Sequence, residues 1–195
     1  MLLERWDRLR NVPKRSTLSP SDKMQFLVQL AFWLHKKRRR EFSIDDAERV
    51  WSQECDRFRL DVPMADFIEE LVSVDNAIQP ESGGLFSLGH LSFQEYLTAI
   101  ALVNSQAIDF LASKFEEEWW RNVIIFFAGI TGDATNLLGE VHSQTVFSMK
   151  DKPFMERIIA EARHTPRILK NLILEMTSAV EETDLLDLGR EEELN

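Results

Sequence analysis

Hydrophobic side chains recur at helical spacing along most of the chain, and Pro, Gly and Ser residues interrupt them at short intervals. Leu2, Leu3, Trp6 and Leu9 share one face of a predicted helix, and a loop with two prolines follows. This helical pattern starts without a capping residue, as if upstream sequence had been cut away. This start fits a truncation, and the sequence leaves three alternatives open: a truncated chain, a fragment of a gene, or a piece that pairs with the missing part in trans.

Three amphipathic helices are predicted next. They span residues 22–39, 44–58 and 62–74. Ser21 is expected to cap the first helix, and Ser43 with Asp46 forms a capping box at the start of the second. Pro63 falls in the first turn of the third helix, where its missing N–H costs little.

A short β-hairpin is predicted after these helices. Two apolar stretches, residues 78–80 and 85–89, flank a turn that contains Gly83 and Gly84. Residues 41–43 are expected to form only an extended link. Three helices followed by a hairpin are the arrangement of a winged helix-turn-helix.

Only helices are predicted beyond the hairpin. Ser92 and Glu95 form a second capping box, which would open a helix over residues 93–103. Further helices are predicted at residues 107–115, 117–129, 133–142, 153–163 and 165–179. We expect a mainly α fold, in which a winged helix-turn-helix with a small hairpin precedes a bundle or short superhelical array of antiparallel helices.

The composition is typical of a globular protein, with 44% apolar and 29% charged residues. The one cysteine, Cys55, excludes a disulfide framework and a cysteine-based zinc site. There is no secretory signal, and the longest apolar run, residues 123–130, is far shorter than the roughly 20 residues that span a bilayer. We therefore expect a cytoplasmic protein that does not enter a membrane.

The net charge of −10 is unevenly distributed, because residues 1–60 carry +5 and residues 61–195 carry −15. The basic run at residues 36–40 indicates contact with nucleic acid or acidic lipid, or simply cations at the negative end of a helix dipole. The third helix has no Lys or Arg, and it carries the acids Asp66, Glu69 and Glu70. Since these would oppose a phosphate backbone, nucleic acid is not an expected partner.

No catalytic or metal-binding motif is found. The chain lacks a phosphate loop, a dinucleotide fingerprint, a nucleophile elbow and a zinc-protease helix. The four histidines, His35, His90, His142 and His164, do not have the spacing of metal ligands. We therefore expect no catalytic residue and no metal site.

His90 is the most informative polar position. It lies two residues before Ser92, at the predicted start of a helix, where free N–H groups and a partial positive charge suit an anion such as a phosphate. Alternatively, the imidazole satisfies a backbone carbonyl at the end of a strand. Spacing alone favours this structural alternative.

Residues 85–99, LFSLGHLSFQEYLTA, resemble the F-x-H-x-[ST]-F-Q-E-[YF]-x-A signature of NACHT-family NTPases. Phe86 stands two residues before the usual aromatic position, which Leu88 occupies. Residues 2–7 and 118–129 resemble the family helices that flank the winged helix on either side. Besides His90, the residues that support the motif or its packing are Phe86, Ser92, Phe93, Gln94, Glu95, Tyr96, Ala99 and Trp119.

The resemblance implies an order of domains. In this family a nucleotide-binding core precedes a helical domain, a winged helix and a second helical region. Here the end of the preceding helical domain would occupy residues 1–17, and the winged helix residues 18–104. A C-terminal helical domain would occupy residues 105–180, followed by an acidic tail at residues 181–195.

The resemblance also implies a role for His90, because in this family the winged-helix histidine reaches the β-phosphate of bound ADP and holds a closed, inactive state. Exchange for ATP releases the winged helix and permits homo-oligomerisation. The buried face of the motif helix would consist of Phe93, Tyr96, Leu97 and Ala99, as their spacing also predicts. Trp33 is likewise expected to be buried.

The phosphate loop and Mg²⁺-binding acids of the family are absent, so this polypeptide alone is expected to bind no cofactor and to be no enzyme. ADP or ATP with Mg²⁺ would belong to a parent ATPase, whose nucleotide-binding domain is the expected partner in cis or in trans. The implied function is a nucleotide-state sensor and conformational switch in innate immune or antiphage defence. The alternatives are a winged-helix DNA-binding regulator and a helical protein-interaction scaffold without a nucleotide role.

Overall fold

The computed structural model describes residues 18–55, 60–145 and 149–163. These residues are mainly α-helical and include one small antiparallel sheet, as predicted. The helices are α1 Pro20–Lys36, α2 Ile44–Glu54, α3 Met64–Ser73, α4 Leu91–Ser105, α5 Ile108–Ala112, α6 Arg121–Thr131, α7 Thr135–Gln144 and α8 Lys152–Glu161, and the strands are β1 Glu41–Phe42, β2 Gln79–Pro80 and β3 Phe86–Ser87. The chain divides into two compact units between Ala101 and Leu102. The predicted domain boundaries remain predictions.

The first helix begins and ends earlier than predicted. Its cap is Ser19 and not Ser21, because the Ser19 hydroxyl accepts the N–H of Asp22 while the Asp22 carboxylate accepts the N–H of Ser19. Pro20 occupies the first helical position, where its fixed φ suits the helix. The helix ends at Lys36, and Arg38 then takes a left-handed conformation with φ of 54°.

The second helix has the predicted capping box, formed by Ser43 and Asp46. It ends at Glu54, and the predicted end at residue 58 lies outside the described residues. In the third helix, Pro63 is the N-cap and not a first-turn residue. These shifts leave the predicted order of helices unchanged.

The sheet contains the predicted hairpin and one further strand. β3 pairs antiparallel with both neighbours, so that Ser87 lies opposite Gln79 in β2 and opposite Glu41 in β1. The prediction of an extended link at residues 41–43 was therefore incomplete, because two of these residues pair with β3. The hairpin turn uses left-handed glycines, with φ of 71° at Gly83 and 75° at Gly84.

The core of the first unit is built around three aromatic rings, one each from α1, α2 and α3. Phe26, Trp51 and Phe67 lie with ring centroids 5.4–5.6 Å apart, at angles typical of favourable aromatic pairs. Trp33 and Phe93, both predicted to be buried, are only half-buried and pack at the edge of this core.

The second unit consists of short helices that pack in pairs. α5 packs against α7, and α6 packs against α8. The helix predicted at residues 117–129 begins as a 3-10 turn, Glu118–Trp120, before α6. The helix predicted at residues 165–179 and the acidic tail lie outside the described residues. None of the helices that the structure describes is long and apolar enough to cross a bilayer.

Candidate functional site

His90 immediately precedes α4, which begins at Leu91. The predicted capping box at Ser92 was wrong, because Ser92 lies inside the first turn of the helix. Its N–H instead donates to Nδ1 of the His90 imidazole at 3.2 Å, and the His90 carbonyl accepts the N–H of Phe93 at 2.9 Å. His90 thus supplies the acceptors at this helix start.

The hydrogen bond from Ser92 determines which nitrogen of the neutral His90 ring carries the proton. Because Nδ1 accepts, the neutral imidazole carries its proton on Nε2, which is then a donor. The side chain is exposed, and Nε2 makes no hydrogen bond within the parts of the chain that the structure describes. This geometry differs from the structural alternative of the sequence analysis, in which the ring would donate to a backbone carbonyl.

The turn before His90 depends on Gly89. This residue has φ of +74°, and a Cβ added there would lie 3.1 Å from the Gln79 side-chain nitrogen. The Gly89 N–H donates to the Ser87 hydroxyl at 3.0 Å, and that hydroxyl donates to Glu81 at 2.7 Å. A side chain at position 89 would therefore be strained and would crowd β2, displacing the loop that presents His90.

α4, the helix that carries the family motif, buries a different set of residues from the one predicted. Leu97 and Ala99 are buried as expected and Phe93 is half-buried, but Tyr96 is 39% exposed. Tyr96 lies one turn after the exposed Ser92, and so on the outer strip of the helix. The spacing that predicted a buried Tyr96 was therefore misleading at this position.

Two polar motif residues are buried instead. Gln94 is 2% and Glu95 4% exposed. The Gln94 side-chain amide donates to the backbone carbonyl of Arg39 at 3.0 Å, and the backbone carbonyl of Gln94 accepts the Thr98 hydroxyl at 2.7 Å. Gln94 therefore fastens the turn after α1 to α4, a role that no sequence pattern indicated because its partner is 55 residues away.

The remaining motif residues are aromatic. Phe86 is half-buried, and its ring lies 5.9 Å from that of Phe42 across the β1–β3 pair. Trp119 belongs to the second unit, where it is half-buried in the 3-10 turn before α6. The neighbouring Trp120 is the buried residue there, and it packs edge-on against Phe110.

Five consecutive cations occupy the last position of α1 and the turn after it, and we call them the basic turn: Lys36, Lys37, Arg38, Arg39 and Arg40. All five are exposed. The Arg39 guanidinium donates to the Asp46 carboxylate at 2.9 Å and lies 5.5 Å from the centre of the Trp33 ring. Burial alone would raise the pKa of Asp46, but hydrogen bonds from the Ser43 N–H and from Arg39 outweigh it and hold that pKa below its usual 3.8.

The third helix of the winged helix-turn-helix presents acids to solvent. Of the three acids that were expected to oppose a phosphate backbone, only Asp66 and Glu69 are exposed on α3. Glu70 is buried and forms an ion pair with Lys23 at 2.7 Å. A DNA-reading third helix would instead present cations and amides to the groove.

Lys23 is the centre of a buried ion cluster that sequence reasoning missed. Its ammonium lies 2.7 Å from Glu70 and 2.7 Å from Asp75, and all three side chains are at most 2% exposed. Burial alone would lower the pKa of Lys23, but hydrogen bonds to Asp75 and Glu70 raise it above 10.5. The sequence feature that could have indicated this cluster is the position of Lys23 on an otherwise apolar face of α1.

Within the described ranges, no three His, Cys, Asp or Glu side chains are grouped so that they could hold a metal ion.

Comparison with known families identifies the first half of the chain. Residues 1–102 match the family described as a winged helix-turn-helix domain C-terminal to NACHT. Neither a curated protein nor a solved structure shows a significant match. The match covers more than half of the chain and includes α1 to α3, the three strands and His90. The chain therefore belongs to the family of winged helix-turn-helix domains that lie C-terminal to NACHT.

Proposed function

We propose that this chain is the regulatory part of a NACHT-type signal-transduction NTPase and that His90 senses which nucleotide is bound. The observation that carries the proposal is the Ser92–His90 hydrogen bond, which leaves the exposed Nε2–H as a donor. A phosphate oxygen is a strong acceptor for such a donor. The partner would be the NACHT domain that precedes members of this family.

His90 would act by differential binding. With ADP in the NACHT domain, Nε2–H would donate to the β-phosphate and hold the winged helix against the nucleotide. With ATP, this contact would be lost and the winged helix would move away, which would allow the protein to oligomerise. A ligand can shift such an equilibrium only through a contact that differs between the two states, and the imidazole supplies that contact.

The chemistry of hydrolysis would belong to the NACHT domain. The phosphate loop motif and the family's Mg²⁺-binding acids are missing from this sequence, so we assign no catalytic step to its residues. The biological setting that we propose is cytoplasmic innate immune or antiphage defence. In that setting His90 would keep the protein inactive until a signal arrives.

The experiment compares His90→Asn with His90→Ala in the protein that carries both this chain and its NACHT domain. Asn is a favourable N-cap, so His90→Asn should keep α4 capped while removing the donor that reaches outward. Both variants should bind ADP about tenfold to a hundredfold more weakly, the effect of one hydrogen bond to a charged group. Both should also raise basal signalling.

Fluorescent ADP dissociation rates and the nucleotide retained after purification measure this effect, and Ser92→Ala serves as the control because it keeps the Ser92 N–H. Unchanged ADP affinity and basal activity in both His90 variants would remove the sensor role. The chain would then be better described as an interaction scaffold.

A further inference from the structure

The basic turn lies beside His90, and two separate contacts place it there. In the β1–β3 pair, Glu41 lies opposite Ser87, so the backbone of the turn approaches β3 just before the loop to His90. One helical turn after His90, the buried Gln94 amide holds the Arg39 carbonyl at 3.0 Å. The cations and the imidazole therefore belong to one surface region of the first unit.

The contacts of the basic turn distinguish cations that have partners from cations that have none. Arg39 is occupied by Asp46 and packs over Trp33, so it acts as an anchor. Lys37 and Arg40 are exposed, and their side chains have no partner among the residues described by the structure. The turn is thus held by its backbone and by Arg39 while two cations remain available.

The charge of the surrounding unit indicates what size of anion fits. Residues 1–101, which form this unit, contain fourteen Lys and Arg against sixteen Asp and Glu, and five of these cations are consecutive in the basic turn. Extended polyanions such as nucleic acid or a membrane surface need a basic stripe or face. Within the described part of this unit, the basic turn is the one run of consecutive cations, and such a compact cluster fits a small, highly charged anion.

We propose that the basic turn is a second phosphate-binding element beside His90, and that Lys37 and Arg40 bind the phosphates of the nucleotide held by the NACHT domain. The inference deepens the proposed function and rests on it. His90 would contribute a directed hydrogen bond, and the two cations would contribute charge that depends on the number of phosphates. The turn would therefore favour ADP over AMP.

The test measures affinity for ADP and for AMP in the protein that includes the NACHT domain. The variant Lys37→Gln with Arg40→Gln removes both free cations. Lys150→Gln with Arg157→Gln is the matched control, since it removes two exposed cations from the second unit. ADP should bind the turn variant roughly threefold to tenfold more weakly at low salt, AMP should change less, and the ADP deficit should shrink in 0.5 M salt.

Glu41→Gln supplies the opposite change, because it removes an exposed acid next to the turn and should tighten ADP binding. Thermal unfolding of every variant checks that the fold is retained. Equal ADP affinities in the turn variant and in the control would overturn the inference.

Comparison with His90→Asn separates the two proposals. A loss of affinity in His90→Asn alone would overturn the phosphate-binding role of the turn and leave the sensor role of His90 intact. A loss in the turn variant alone would support the phosphate site and overturn the role of His90. No loss in either variant would overturn both.

Discussion

The Lys23 ammonium on α1 forms ion pairs with α3 and with the residues just after it, and these ion pairs are almost fully shielded from solvent. It lies between Glu70 of α3 and Asp75 just after that helix, and it donates to both carboxylates at 2.7 Å. A buried carboxylate without its cation is strongly destabilised, since neither water nor another charge compensates it. The cluster therefore matters most when a single member is removed.

We expect Lys23→Met to destabilise the protein by about 3–5 kcal/mol, because it leaves two carboxylates buried without their cation. The free energy of unfolding in urea measures this cost. Lys37→Met, at an exposed position on the same unit, is the control and should change stability by less than about 0.5 kcal/mol. A cost below about 1 kcal/mol for Lys23→Met would show that the cluster is hydrated.

Asp46 predicts a dependence of stability on acid. Its pKa is lower in the folded protein than its unfolded value of 3.8. The carboxylate therefore contributes stability that is fully present above pH 3.8 and is lost as the pH falls through the lower, folded pKa.

Wild-type protein should therefore exceed Asp46→Asn in stability by about 1 kcal/mol near pH 6, the size of a capping contribution. This difference should vanish as the pH is lowered below 3.8. Urea unfolding at a series of pH values compares the two proteins. A difference that stays constant down to pH 3 would contradict the lowered pKa.

At the level of elements, helices were predictable because their apolar spacing and caps are local properties. The Ser43–Asp46 box is confirmed, since both partners lie within one turn. The first cap was misplaced by two residues, because the sequence offers Ser19 and Ser21 on either side of Pro20. The proline decides between them, since it is favoured at the first helical position and Ser19 is the residue before it.

Ser19→Ala should cost about 0.5–2 kcal/mol of stability, because it removes the acceptor for the first turn of α1. Ser21→Ala is the matched control, and it should be nearly neutral since Ser21 is exposed in that turn. Chemical denaturation of the two variants gives the comparison. Equal costs would show that the cap is shared or misassigned.

The elements that depend on distant partners were harder to predict. β1 has only two residues, and nothing in its own sequence specifies pairing with a strand 45 residues later. The burial of Gln94 has the same origin, because its acceptor, the Arg39 carbonyl, lies in the turn after another helix. In the candidate site, the sequence therefore predicted that His90 lies at the start of a helix. The hydrogen bond from the Ser92 N–H to the His90 ring could be identified only from the fold.

At the scale of the molecule, the motif around His90 was the most informative part of the sequence. The family match over residues 1–102 confirms the resemblance that the motif indicated. Composition and charge excluded broad classes but did not identify a family. The nucleotide contact and the immune role remain proposals, because they depend on a domain that this sequence does not contain.

The charge distribution leads to a prediction about nucleic acid. The exposed acids of α3 and the net charge of −10 should prevent tight binding of duplex DNA. We expect the salt dependence of any residual binding to correspond to about two phosphates or fewer, because the cations cluster in one turn. Fluorescence anisotropy at several salt concentrations measures this slope. A slope that corresponds to six or more phosphates would favour the DNA-binding alternative.

The Lys23 cluster also constrains how this domain can change during evolution. Exchanging Lys23 for an apolar residue leaves both carboxylates buried without a cation, and exchanging one acid leaves the Lys23 ammonium with a single carboxylate, whereas replacing all three together can be neutral or stabilising. An intermediate that lacks only Lys23 should therefore be destabilised, so that its replacement alone should be removed by selection. Homologous domains should therefore retain Lys23, Glu70 and Asp75 as a set or lack the set entirely, and their joint variation would mark this contact in an alignment.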